Sequence, residues 1–199
     1  MGAQRLRVAF LDRDGVINHD SPDYIKHWSE VRFIPGSLSA VKALNDAGFA
    51  VMVITNQSAV HRRLITMAEL ARIHRKMQAA ARREGGCITA FFFCPHLPDE
   101  GCTCRKPLPG LIRRAQEVYP IEIEGSVMVG DSAKDIACGK AAGCGATILV
   151  RTGNGATAET VLAREGIRPD KVAENLADAA VWIASRKEAL RPKKGPKKD

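Results

Sequence analysis

Val8-Ala9-Phe10-Leu11-Asp12-Arg13-Asp14-Gly15-Val16 runs four apolar residues straight into two acidic ones two apart, and a glycine follows. Four apolar residues without polar alternation predict a strand buried on both faces, as in a parallel sheet. Asp12 then stands at the carboxyl end of that strand, where open α/β sheets bind their ligands. Two carboxylates this close repel each other unless a cation or a shared proton offsets the charge. A hard divalent ion with oxygen ligands, Mg²⁺ above all, meets that need. A solvated strand end and a calcium loop are the alternatives. The calcium loop fails, because its glycine belongs at the sixth position from the first Asp and Gly15 is the fourth. A strand also precedes it where a helix is required.

Outward from this stretch, strands and helices alternate. Residues 15–36 form a polar, irregular connection, after which Ser37 is placed to cap a helix with Leu38, Val41 and Leu44 on its apolar face, stopped by Gly48. Residues 49–54 are a second buried strand, ending in Thr55-Asn56-Gln57-Ser58. Thr66 and Glu69 predict a capping box for a helix that buries Leu70, Ile73 and Met77 and stops at Gly85-Gly86. Ala90 to Phe93 reads as a third strand, 109–118 as a helix, Ser126 to Gly130 as a fourth strand ending at Asp131, and Lys134 to Ala142 as a helix closed by Gly143. A fifth strand over 146–150 and short helices over 157–165 and 175–189 complete the series. Such alternation predicts an α/β fold, a doubly wound, Rossmann-like parallel sheet with right-handed crossovers.

The chain has 199 residues, enough for one domain with a substantial core, and its 45% hydrophobic and 26% charged content is that of a globular protein. No apolar run reaches membrane-spanning length and no secretory pattern opens the chain, so a cytoplasmic location and no membrane partner are expected. The net charge of +8 invites a nucleic-acid partner. From Arg186 to Asp199, however, seven Lys or Arg face only Glu188 and Asp199, a balance of +5 that leaves +3 for the rest. The expected organisation is a single domain over 1–185 and a basic, disordered tail over 186–199. A monomer is expected, and nucleic acid is disfavoured as a partner.

Three strand ends carry polar side chains: Asp12 and Asp14 on the first, Thr55 and Asn56 on the second, Asp131 on the fourth. In a parallel sheet these ends share one edge, so the groups can converge on one pocket; the alternative is that each caps the helix behind it. Cys94-Pro95-His96 and Cys102-Thr103-Cys104 make two pairs, each with one residue between its members, separated by the turn 97–101. Cys₃His is a closed structural zinc set with no open position for catalysis. Disulfides are the alternative, disfavoured by a reducing compartment and by the difficulty of bridging a Cys-x-Cys pair. Zinc here would stiffen a loop over 94–104 that has little core of its own, and so aim Arg105 and Lys106. Cys87, Cys138 and Cys144 read as buried small hydrophobes, and His19, His27, His61 and His74 as solvated or core residues. Tyr24 and Trp28 read as core cover rather than as a sugar platform.

The ordered set Asp12-x-Asp14-Gly15, Thr55-Asn56, Lys106-Pro107 and Asp131-x-x-x-Asp135 resembles the four motifs of the haloacid dehalogenase-like phosphatases, over roughly residues 7–153. The Cys/His pairs with Arg105-Lys106-Pro107 resemble its zinc-loop branch, which holds heptose bisphosphate and histidinol-phosphate phosphatases. The resemblance implies an aspartyl-phosphate mechanism with Asp12 as nucleophile and Asp14 as general acid and base. Thr55 and Lys106 would stabilise the transferring phosphoryl group, and Mg²⁺ would lie on the Asp12 carboxylate, the Asp14 main-chain carbonyl and Asp131. Zinc would sit on Cys94, His96, Cys102 and Cys104, and Asp135 would orient Lys106 or a water on the metal. Substrate contacts would come from Asp20, Thr55, Asn56, Gln57, Ser58, Arg105 and Lys106. No insertion is long enough for the separate cap domain many relatives carry, so the loops 18–34 and 58–66, with the zinc loop, shape the pocket. The chain departs from the family at Ala59 and Arg63, where the heptose group usually has glycines, and at Ser132, where many relatives have lysine.

Lys106-Pro107-Leu108-Pro109-Gly110-Leu111 and Val150-Arg151-Thr152-Gly153 resemble the heptose group, whereas the short 97–101 turn resembles the histidinol group. The first two lie at separate strand-to-helix connections, and loop length changes easily. The resemblance thus implies a small phosphorylated sugar as substrate: hydrolysis of the 7-phosphate of a manno-heptose 1,7-bisphosphate, within the biosynthesis of nucleotide-activated heptose. Histidinol phosphate is the alternative substrate, followed by a DNA 3′-phosphate.

Overall fold

The computed structural model describes residues 5–186 together with 188 and 190. Its centre is a six-stranded, wholly parallel sheet in the order β3-β2-β1-β4-β5-β6. The strands are β1 (Val8–Leu11), β2 (Ala50–Asn56), β3 (Ile88–Cys94), β4 (Val127–Gly130), β5 (Ala146–Val150) and β6 (Lys171–Ala173). Between and after them run α1 (Ser37–Asp46), α2 (Met67–Arg83), α3 (Gly110–Val118), α4 (Ala133–Ala142), α5 (Gly155–Arg164) and α6 (Leu176–Ser185). This is the expected doubly wound architecture. Strand order reverses between β1 and β4, and a crevice opens at the carboxyl ends of those two strands.

Period-two alternation divides the core into two layers. Ala9, Leu11, Val51, Val53, Val127, Val129, Ile148 and Val150 face one way, against Val41 and Leu44 of α1, Leu70, Ile73 and Met77 of α2 and Ile183 of α6. Val8, Phe10, Met52, Ile54 and Met128 face the other way, against Leu111, Ile112 and Ala115 of α3 and Cys138 of α4. Leu149 meets Ile136, Ala158 and Leu162 in a smaller cluster under α5. The central strands β1, β4 and β5 are buried at every residue, which is why they read as unbroken apolar runs.

Several local expectations change. Ser37 does not cap α1; Gly36 stands at that position with φ 79°, and the Ser37 hydroxyl donates instead to the Ile17 carbonyl at 2.7 Å. Buried beside the irregular 15–36 segment, that bond pins the connection to the helix. Thr66 does cap α2, accepting from the Glu69 amide at 3.1 Å. Cys87 is exposed rather than buried; Cys138 is buried and Cys144 half-buried. Trp28 and Tyr24 pack against the first core layer. The last helix ends at Ser185, and β6, unforeseen, pairs with β5. Of the expected tail, Leu190 packs against the core, its amide bonding the Arg186 carbonyl at 3.0 Å, and residues 191–199 lie outside the described residues. Among the described residues no helix is long and apolar enough to cross a membrane.

Candidate active site

Asp12 follows the last residue of β1, and its amide is still held by the β4 carbonyl of Val129 at 3.0 Å. The β1 ladder therefore fixes the aspartate at the crevice. Asp131 follows β4 directly across the strand-order reversal, and Thr55 and Asn56 close β2. All of them line one cleft of about 520 Å³, together with Asp14, Asp20, Gln57, Ser58, Arg105 and Lys106. Every residue expected to bind substrate, catalyse or hold Mg²⁺ is thus brought to one place.

Lys106 organises the floor of that cleft. Its ammonium lies 2.8 Å from Asp12 Oδ2 and 2.6 Å from Asp135 Oδ1, and donates to the Ile54 carbonyl at 2.9 Å. Burial alone would lower its pKa, but Asp12 and Asp135 outweigh burial and hold it above the usual lysine value. Asn56 fixes the lysine's main chain from both sides: its carbonyl oxygen accepts from the Lys106 amide at 3.1 Å, and its amide donates to the Lys106 carbonyl at 3.2 Å. Asn56 lines the cleft, but its side chain is committed to the loop that carries Lys106. Asp135 has two tasks, since its other oxygen accepts from the Ser132 amide at 3.0 Å and hydroxyl at 2.6 Å and so caps α4.

Asp12, Asp131 and Asp135 bring carboxylate oxygens within 4.8 Å of one another. One lysine faces three carboxylates, so negative charge is in surplus. Burial, with repulsion from Asp135 and Asp131, pushes the Asp12 pKa up despite Lys106. Burial, with Asp135, pushes Asp131 up to about 6 although the Asn154 amide, 2.8 Å away, favours its charged form. A hard dication fits this donor set. Two glycines leave room for Asp131: a Cβ on Gly15 or on Gly153, both at positive φ, would come within 2.2 Å of its Oδ2.

Asp14 is held differently. Its carboxylate accepts from Arg13 Nε at 3.0 Å and Nη2 at 2.8 Å, from Asn18 at 2.8 Å and from Gln57 at 2.9 Å. Burial would raise its pKa, but the Arg13 guanidinium and these donors lower it below the usual carboxylate value. Arg13 is only 1% exposed, and its Nη1 lies 3.5 Å from His74 Nε2. His74 stacks on Phe91 with ring centroids 4.2 Å apart, and burial with the nearby Arg13 lowers its pKa to about 3, so the ring is neutral. Gln57 reaches Thr55 Oγ1 at 2.9 Å as well as Asp14, and thereby ties β2 to the second aspartate.

Cys94, His96, Cys102 and Cys104 bring their ligand atoms within 4.8 Å of one another at the end of β3. Sulfur–sulfur separations of 3.6 Å and His96 Nδ1 at 3.3 Å from Cys104 are far from a disulfide and suit four donors around one zinc. Arg105 leaves this loop and donates to the His96 carbonyl at 2.9 Å. Arg63 adopts φ 57°, a conformation glycine takes without strain, at the position where the heptose group usually has glycine.

Sequence reading missed Arg13, Asn18 and Asn154. An arginine between two acids looks like a solvated charge, and nothing local tells that it is buried. Arg151 stays outside, paired with Glu159 and Glu174, whereas the neighbouring Thr152 hydroxyl donates to the Gly15 carbonyl at 2.6 Å.

A family model described as HAD-hydrolase-like matches residues 103–179. The D-glycero-β-D-manno-heptose-1,7-bisphosphate 7-phosphatase of Bordetella bronchiseptica is 43% identical over 176 residues, 88% of this chain and 96% of that protein. The protein of that name from Pseudomonas putida is 45% identical over 150 residues, 75% of this chain and 85% of its own. Among solved structures, the B. bronchiseptica D,D-heptose 1,7-bisphosphate phosphatase complexed with magnesium and phosphate is similar with a TM-score of 0.84, at 42% identity over 91% of this chain and 99% of that one.

Proposed function

This chain belongs to the heptose 1,7-bisphosphate 7-phosphatase family of haloacid dehalogenase-like hydrolases, and from that premise we propose that it removes the 7-phosphate of manno-heptose 1,7-bisphosphate through an aspartyl-phosphate. The observation that carries this reading is 43% identity across almost the whole length of a phosphatase so named. The clustering of Asp12, Asp131 and Lys106 at the cleft, with Asp135 buried behind the lysine, supports it.

Asp12 attacks phosphorus in line; an oxygen–phosphorus bond forms to Asp12 as the bond to the sugar oxygen breaks. Asp14 gives its proton to that leaving oxygen. Ionised at rest, it takes up that proton from solvent beforehand, as the anionic phosphoryl group entering beside it raises its proton affinity. Asp14 then takes a proton from the water that attacks phosphorus and frees Asp12, a role worth ~10²–10⁴-fold. Lys106 and Thr55 meet the charge on the phosphoryl oxygens, and Asp135 keeps Lys106 in place. Asp20, Gln57, Ser58 and Arg105 line the same cleft, from which they would contact the leaving group. The surplus of carboxylates fits Mg²⁺, which would be held by Asp12, the Asp14 main-chain carbonyl and Asp131. It would offset repulsion between nucleophile and phosphate. The thiol and imidazole set fits zinc on Cys94, His96, Cys102 and Cys104, with a structural task.

The test is phosphate release from heptose 1,7-bisphosphate, histidinol phosphate and a 3′-phosphorylated oligonucleotide, compared by kcat/KM. Heptose bisphosphate should win by at least ~10²-fold, the discrimination of a few well-placed polar contacts. A win for histidinol phosphate would leave the phosphatase standing and remove the substrate.

A further inference from the structure

α2 buries Leu70, Ile73, His74, Met77, Ala80 and Ala81, and His74 is the one polar side chain among them. A polar ring in an apolar layer costs stability unless its nitrogens find partners. The His74 ring stacks on Phe91 with 14° between the planes and meets Phe93 edge-on, with centroids 5.9 Å apart. Phe91 and Phe93 are two apart on β3, so they project from one face of the sheet and together fix the plane of the imidazole.

Held in that plane, the ring presents Nε2 to Arg13 Nη1 at 3.5 Å. A guanidinium has donors only, so Nε2 must be the bare acceptor and the ring proton must sit on Nδ1. Burial and the Arg13 charge keep the ring neutral, as such an acceptor has to be. Arg13 is thereby committed on both sides. Its Nε and Nη2 form a fork on the two oxygens of Asp14, at 3.0 and 2.8 Å, which leaves Nη1 for His74. The guanidinium is planar, so anchoring a third nitrogen sets the direction of the fork. Asn18 and Gln57, the other donors to Asp14, carry no charge.

We propose that His74 is a positioning residue for the reaction: through Arg13 it fixes the direction from which Asp14 hands its proton to the leaving oxygen. The inference rests on the phosphatase reading above. His74 itself is outside the lining of the cleft, and it acts through one contact on the residue that orients the general acid.

Leaving-group dependence tests this, because kcat/KM covers only the steps up to departure of the leaving group and so excludes the later attack of water. His74→Phe keeps the aromatic volume and the stacking face but removes the acceptor, whereas His74→Gln keeps an uncharged acceptor. Each is assayed on whichever alkyl phosphate wild-type protein hydrolyses fastest, whose departing oxygen needs a proton, and on p-nitrophenyl phosphate, whose phenolate leaves without one. His74→Phe should lower kcat/KM on the alkyl phosphate by ~10-fold more than on p-nitrophenyl phosphate, the effect of one hydrogen bond to a charged donor. His74→Gln should restore most of that ratio. Equal losses on the two substrates would make His74 a packing residue and overturn the proposal, as would an unaltered ratio in His74→Phe. Should His74→Phe fail to fold, the wild-type ring decides. A spectrum of ¹⁵N-histidine-labelled protein at pH 7 should show His74 protonated on Nδ1 and bare at Nε2, and a proton on Nε2 overturns the proposal. If wild-type protein hydrolyses no phosphate monoester, the phosphatase reading has failed and this inference with it; wild-type activity with the wrong ratio in the variants removes the inference alone.

Discussion

At the scale of single residues, the two aspartates two apart live in opposite environments. Asp14 takes four hydrogen bonds, two of them from the buried Arg13, while Asp12 shares one lysine with Asp135. Arg13 therefore sets the orientation of Asp14. Replacing it as Arg13→Met leaves a mostly buried carboxylate without its cation, a change that costs about 3 kcal/mol. Denaturant unfolding should show that loss, with kcat falling by more than KM rises. Protonation gives a second expectation. Metal-free, Asp131 keeps its proton up to about 6 when folded, against 3.8 in a free chain. That contribution to stability is complete below pH 3.8 and is lost as pH rises through about 6. A divalent cation competes with the same protons and binds the folded site, so Mg²⁺ should raise the melting temperature more at pH 8 than at pH 5. Thermal melts at the two pH values, with and without Mg²⁺, check this; equal shifts would contradict a carboxylate metal site.

At the scale of elements, the strands that position chemistry were the legible ones. β1, β2 and β4 each end in the polar groups that meet in the cleft, and burial on both faces writes such strands as apolar runs. β6 has three residues, too few for any period to show, and β3 is longer than its aromatic centre suggested. The start of α1 misled because Ser37 lies one residue inside the helix, with Gly36 at the cap position, and its hydroxyl donates to the Ile17 carbonyl of the preceding connection. Arg13 was illegible because burial of a charge depends on partners distant in sequence, His74 above all. The zinc loop was legible from spacing alone, and it has little apolar support of its own. Zinc should be present at one ion per chain. Chelation or Cys102→Ser should lower the melting temperature and reduce kcat/KM by ~10–100-fold, because the loop carries Arg105 and leads into Lys106. A loop held by core packing would tolerate both treatments. His61, 2.7 Å from Glu100, joins the 58–66 loop to the zinc loop, so disturbance of one should reach the other.

On the scale of the whole molecule, charge and packing part company at the C-terminal end. Residues 191–199 carry five Lys or Arg against Asp199, so their removal takes the net charge from +8 to +4. Leu190, in contrast, packs against the first core layer, with its side chain near Gly145, and Arg186 lies over Trp182 at 5.2 Å from its ring centroid. Long-range attraction of an anionic sugar by distant cations is screened within ~8 Å at physiological ionic strength. Loss of 191–199 should therefore leave kcat/KM within about two-fold at that salt, with a larger decline only at low salt. A chain shortened through Leu190 also loses apolar burial, about 1 kcal/mol for a half-buried leucine. In a protein of this size that corresponds to a fall of roughly 2–4 °C in Tm. Melting curves of the two truncations, with kcat/KM measured at 20 and 150 mM salt, separate the contributions. If loss of 191–199 alone lowered kcat/KM ten-fold at 150 mM salt, those residues would have to reach the cleft itself, and the picture of a site complete within the sheet and its loops would be wrong.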